Sequence, residues 1–237
     1  GDFNIANIKT QVAQVTPVVG GEGDLKEVKS TKLGALFMAD WKQQLVLAGL
    51  AWQVDVGTVT ASADIAPVTG GGNGTIIDLD QPELVIGVDA GYYLIPMEAR
   101  CAIQADNDAD VSEANIILIA DRSAAPVTTN ASGTLATPVN MLDGGAAFPG
   151  RAWTGSSGNI TTPVASQILD FVTAQASTMD STGMVSSPVI KMDYVPSIPT
   201  ILAGPCQVVL CFGGTKAAVG IGSVVVACVP SSYFPVS

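Results

Sequence analysis

The sequence predicts an all-β fold, a sandwich or barrel, on three observations. Short segments alternate apolar and polar residues, as in Ala51-Trp-Gln-Val-Asp-Val-Gly-Thr-Val-Thr60, the pattern of a half-buried strand. Glycine and proline punctuate the chain between these segments, as hairpins and sheet-to-sheet connections require. Hydrophobic residues make up 48% of 237 residues and charged residues only 13%. That balance leaves ample material for a core and a surface built largely from Thr, Ser, Gly, Gln and Asn.

Taken in order, residues 1–32 read as an extended N-terminal arm. They hold Thr16-Pro17, Gly20-Gly21 and a mixed-charge stretch from Glu22 to Lys32 without a sustained period. Such termini order only when docked on something. Residues 33–237 read as one domain. In it, Leu36, Phe37, Trp41, Leu45, Ala48 and Trp52 suit a helical period, and the alternation from Trp52 to Ala61 suits a strand. Strands are expected at Thr75–Leu79, Glu83–Val88, Tyr92–Ala105 and Glu113–Ala120. Residues 123–163, rich in Ser, Thr, Ala, Gly and Pro, read as a long irregular insertion with a surface role. Strands resume at Val164–Thr173, Pro188–Tyr194, Cys206–Phe212 and Ser223–Val229. The total is about eight to ten strands with one or two helices at most.

Composition removes several functions. The chain has no histidine, which excludes Ser-His-Asp and Cys-His nucleophilic sites and any zinc site needing an imidazole. It leaves carboxylate-pair, lysine-based and all-oxygen calcium chemistry open. A net charge of −11 argues against general nucleic-acid binding. The charge is uneven: Lys9, Lys26, Lys29, Lys32 and Lys42 balance Asp2, Glu22, Asp24, Glu27 and Asp40 within residues 1–42. All the net negative charge therefore lies beyond them. No apolar run is long enough for a transmembrane helix, and no secretory signal opens the chain.

Asp106-Asn-Asp-Ala-Asp110 opens like a calcium loop, but Val111 replaces the turn glycine and Ile117 the bidentate glutamate. A solvated hairpin between Cys101–Ala105 and Glu113–Ala120 is the simpler reading. If calcium binds, Asp106, Asp108 and Asp110 supply the oxygens; no other cofactor is expected. Thr69–Gly74, Gly213-Gly-Thr-Lys216 and Thr154-Gly-Ser-Ser-Gly158 miss the spacings of nucleotide loops and nucleophile elbows and read as loop tips. Asp78, Asp80, Glu83 and Glu98 could pair for glycoside hydrolysis, but nothing singles out two of them. The four cysteines match no metal spacing. Cys206 and Cys211, five apart in a strand, point to opposite faces and cannot easily pair; the four read as buried free thiols, and a disulfide among them whose partners sequence does not choose stays open.

Lys32-Leu-Gly-Ala-Leu to Asp40-Trp-Lys-Gln-Gln-Leu45, Leu79-Asp-Gln-Pro-Glu-Leu-Val-Ile86 and Gly91-Tyr-Tyr-Leu-Ile-Pro-Met97 together resemble virion structural proteins of environmental phages and viruses. Gly133-Thr-Leu-Ala-Thr-Pro-Val-Asn140 is similar to the same group. The resemblance covers about half the chain and carries no catalytic motif. It implies a single jelly roll, two antiparallel sheets covering one another, located in the virion as a self-assembling capsid subunit without enzymatic activity. Its partners would be copies of itself and other virion proteins, with the arm tying neighbours together through Lys26, Lys29 and Lys32. Two alternatives remain: a carbohydrate- or receptor-binding sandwich of lectin or adhesin type, and a virion decoration or spike protein.

Overall fold

The computed structural model describes residues 11–12, 29–30, 40–58, 63–65, 77, 79, 82–105, 112–122, 133–155, 167–176, 189–214 and 218–233. Among the described residues the chain is mostly β, with two large antiparallel sheets and one α-helix, as the alternation predicts. Two short strands, β1 (Gln11–Val12) and β2 (Lys29–Ser30), pair in parallel within the predicted arm. The helix α1 (Trp41–Leu47) starts where the carboxylate of Asp40 accepts the N–H of Gln43 at 2.7 Å, the usual way to satisfy a free helical donor.

Then come β3 (Ala51–Val56), β4 (Ala63–Ile65), β5 (Leu84–Val88), β6 (Tyr92–Ala105) and β7 (Ser112–Asp121). Three short strands follow, β8 (Thr134–Ala136), β9 (Val139–Asn140) and β10 (Arg151–Thr154). The last are β11 (Gln167–Ala176), β12 (Val189–Tyr194), β13 (Leu202–Ala203), β14 (Cys206–Gly214) and β15 (Ala218–Pro230). One sheet runs β11-β7-β14-β5-β10-β8 and the other β12-β6-β15-β3-β9, with β13 also on β6 and β4 also on β15.

The eight strands β3, β5, β6, β7, β11, β12, β14 and β15 pair from the outside in. The first lies on the last, β3 with β15, and β5 lies on β14. Inside them β6 pairs with β12 and β7 with β11. Two more contacts, β6 with β15 and β7 with β14, complete two four-stranded sheets. Their inner faces meet in one core containing Trp52, Ile86, Leu94, Ile103, Ile116, Leu118, Leu210 and Val226.

Three expectations are revised. The 123–163 segment is not irregular throughout: β8 and β10 extend one sheet, and β9 extends the other by pairing with β3. Sequence periodicity cannot show strands of two to four residues, so tertiary pairing alone reveals them. The expected hairpin between Cys101–Ala105 and Glu113–Ala120 is not formed: β6 and β7 belong to different sheets and do not pair, while the acidic residues between them lie outside the described residues. Residues 77 and 79 do not form the strand expected at Thr75–Leu79; both pack instead on the outer face of the six-stranded sheet.

Tight approaches fix two glycines. A Cβ at Gly204 would stand 2.1 Å from the carbonyl oxygen of Asp89, and one at Gly150 2.2 Å from that of Gly87. Both contacts are with backbone, which cannot swing away.

Candidate functional site

The outer face of the seven-stranded sheet is divided in two. On one half Ala51, Ile95, Met97, Val225, Ala227 and Val229 point outward, and Trp41, Leu45, Val46, Leu50 and Tyr233 cover them. The helix is therefore a roof over an apolar half-face. The register of β6 against β15 shifts between Val225 and Val226, which sets Met97 and Glu98 outward in succession. Beyond this bulge the outward residues of β6 are Glu98, Arg100 and Ala102.

There the sheet carries a groove of about 660 Å³. Its axis is a row across four strands, in which Asp193 lies opposite Arg100, Arg100 opposite Ser223, and Ser223 opposite Asp55. The Nε of Arg100 lies 2.7 Å from Glu98 Oε1 and 3.6 Å from Asp193 Oδ1. Gln53 donates to Asp55 Oδ1 at 2.7 Å. Gly57, Ala102 and Ser223 contribute little bulk to the lining, and Lys191 and Ile221 join it. The groove thus offers two cations, two carboxylates and an apolar floor, suited to an extended polar chain or to hydroxyl-rich ligands.

The other polar cluster lies at the edge formed by β11 and β12. Arg122 donates to the carbonyl of Ile201 and to Gln167 Oε1, both at 3.2 Å, and Gln167 Nε2 reaches Thr200 Oγ1 at 3.3 Å. Nearby, buried Gln207 donates to Asp121 Oδ2 at 3.1 Å. The Oε1 of Gln207 and the Nδ2 of Asn115 are buried without a hydrogen-bond partner. Burial, then the Asp170 charge, raises the Tyr194 phenol, and a hydrogen bond with Thr200 partly offsets this.

All four cysteines are buried free thiols. Cys206 sits in the core between the sheets and Cys211 in the outer cluster of the six-stranded sheet, the opposite-face placement that their spacing predicts. Burial pushes Cys101, Cys206 and Cys228 up to about 12. These thiols stay protonated near neutrality, and a protonated thiol is a poor nucleophile and a poor metal ligand.

No protein-family model matches the chain, and no curated protein matches it.

The sequence-predicted residues fall mostly elsewhere. Asp106, Asp108 and Asp110 lie outside the described residues, as do Lys26 and Lys32. Lys29 is in β2, opposite Gln11. Among the described residues no group of three or more Cys, Asp or Glu is placed to hold a metal ion, and no helix is long and apolar enough to cross a membrane. Of the carboxylates considered for glycoside hydrolysis, Glu98 borders the groove as a partner of Arg100. Glu83 instead accepts the backbone N–H of Phe212. Sequence reading missed the groove because its four central residues are assembled from strands as far apart as positions 55 and 223; only the charged outward positions of β6 and β12 hinted at it.

Proposed function

We propose that this chain is a capsid subunit, a single jelly roll that assembles with copies of itself into a virion shell and performs no catalysis. One observation carries the reading. The pairing of first strand with last, second with seventh, third with sixth and fourth with fifth is what an eight-stranded antiparallel ribbon gives when rolled into two sheets. That is the strand plan of a jelly roll. A weakly charged body suits a protein whose surface meets its own copies, because the cores of such interfaces are depleted in charge. The arm over residues 1–32 supplies a neighbour contact in this reading, with Lys26, Lys29 and Lys32 as its cations.

The test is assembly of purified protein, followed by light scattering and electron microscopy. Closed particles of uniform size are expected, and deletion of residues 1–32 should impair their formation. A protein that stays monomeric at every concentration overturns the proposal.

The groove favours a second reading, a glycan- or receptor-binding sandwich. Its open sheet face, with charged residues above an apolar floor, resembles a recognition surface more than a buried contact. Saturable glycan binding by a monomer, abolished by Arg100→Ala, would establish this reading over the first.

A further inference from the structure

The outer face of the seven-stranded sheet sets a polar row beside a low one. In the first, Asp193, Arg100, Ser223 and Asp55 stand side by side on β12, β6, β15 and β3. In the second, Lys191 lies opposite Ala102 and Ala102 opposite Ile221, with Gly57 completing the lining. Ala102 and Gly57 rise little above the backbone, so the second row is the floor of the groove and the first is its wall. Ile221, 41% exposed, is the apolar side chain on that floor. Two wall residues are already held in place. Glu98 lies 2.7 Å from Arg100 Nε, and Gln53 donates to Asp55 Oδ1 at 2.7 Å. Side chains fixed beforehand lose less freedom when a ligand arrives.

The wall alternates in hydrogen-bonding sense. The carboxylates of Asp193 and Asp55 accept, the Arg100 guanidinium donates, and the Ser223 hydroxyl does both, while Lys191 adds a further donor. A ligand hydroxyl also does both, so neighbouring hydroxyls can meet an acceptor and a donor in turn. An anionic ligand would pair with Arg100 and Lys191 but face Asp55, Asp193 and Glu98. A cationic one would meet the reverse. Asp55 and Asp193 in the lining offset Arg100 and Lys191, two charges against two, and the chain as a whole carries −11. Both facts disfavour an acidic ligand. Size narrows the choice further. The wall crosses three inter-strand spacings, about 14 Å, which is longer than one sugar ring. The volume of about 660 Å³ lies within the range of small-ligand sites.

We propose that this groove binds a neutral oligosaccharide, laid across β12, β6, β15 and β3. The C–H face of one ring rests on Ile221, and hydroxyls along the chain meet Asp55, Ser223, Arg100 and Asp193. The proposal rests on the recognition reading above, and it selects a neutral glycan over an acidic glycan or a protein.

The experiment screens the 237-residue chain against immobilised neutral, sialylated and sulfated oligosaccharides, then titrates each ligand found by calorimetry. A neutral oligosaccharide should bind, and its component monosaccharides should bind more weakly. Its affinity should stay the same between low and high salt, since screening acts on charged pairs. Arg100→Ala and Asp55→Ala should each weaken it about tenfold or more, as the loss of a hydrogen bond to a charged group does. Both residues are exposed, so circular dichroism and thermal unfolding should match the wild type. Binding confined to sialylated or sulfated oligosaccharides and weakened by Arg100→Ala overturns the neutral ligand and leaves the recognition reading standing. Neutral binding that survives both substitutions overturns the groove as the site. Binding to no oligosaccharide at all overturns the proposal together with the glycan form of that reading.

Discussion

The indole of Trp52 donates its Nε1–H to the carbonyl of Ala146 at 3.0 Å, and its ring meets Phe148 edge-on at 5.4 Å between centroids. A core residue of β3 thereby anchors the segment between β9 and β10. Asn140 reinforces the anchor by donating to the same carbonyl at 2.9 Å. Trp52→Phe should cost about 1–3 kcal/mol through the lost hydrogen bond and the smaller ring. Trp52→Ala should cost about 3–5 kcal/mol. Urea unfolding of both variants gives the two values, and a cost near zero for Trp52→Phe would mean that Asn140 alone holds the segment.

Asn140 also accepts the N–H of Leu142 at 2.9 Å, and a Cβ on Gly145 would overlap its side chain at 2.4 Å. Asn140→Ala should therefore destabilise by about 1–3 kcal/mol and make residues 133–155 the first site of proteolysis. Cleavage elsewhere, with this segment intact, would count against its role as the fastening point.

Gly204→Ala places a methyl group against the Asp89 backbone, and about 2–4 kcal/mol should be lost. Gly91→Ala makes a useful comparison. Its φ is +96°, but a Cβ there meets nothing within 4 Å. Only backbone strain should register, about 1 kcal/mol. Thermal denaturation that ranks the two variants in the other order would refute the overlap argument.

The buried thiols give stability a pH dependence on the alkaline side. Cys101, Cys206 and Cys228 ionise near 12 when folded against an ordinary value of 9.0, chiefly because burial disfavours the thiolate. Above about pH 9 the unfolded chain releases protons that the folded chain retains. Their contribution is complete below that point and is lost as pH rises toward 12. Each thiol adds a slope of about 1.4 kcal/mol per pH unit in this window. Urea midpoints between pH 8 and 11 should fall less steeply in a Cys101→Ala, Cys206→Ala, Cys228→Ala variant than in the wild type. Identical slopes would assign the effect to other groups.

Arg100 tests whether the groove supports the fold. Its side chain is 66% exposed beside Glu98 and Asp193, so Arg100→Ala should change stability by less than about 1 kcal/mol. A larger loss in calorimetry would make the polar row a structural device.

How much of this was legible in the sequence depends on the range of the interaction. The alternation of Trp52, Val54 and Val56 with Gln53 and Asp55 reports burial on one side of a strand, and the structure buries those three in the core. The opposite placement of Cys206 and Cys211 follows from parity alone. The strands β8 to β10 escaped because their pairing depends on partners up to about 90 positions away, such as Asn140 opposite Trp52. The groove escaped for the same reason. Asp55, Arg100, Asp193 and Ser223 become neighbours only through the register of four strands.

One consequence of the outside-in pairing concerns synthesis. β15 lies at the centre of its sheet, between β6 and β3, yet it follows every other described strand. As the chain leaves the ribosome, β3 and β6 emerge long before the strand that joins them. Their apolar faces must wait, exposed to whatever else is nearby, until Ala218–Pro230 arrives. Folding is therefore tied to completion of this stretch, and a ribosome stalled just before residue 218 would hold a half-made sandwich, a natural client for chaperones.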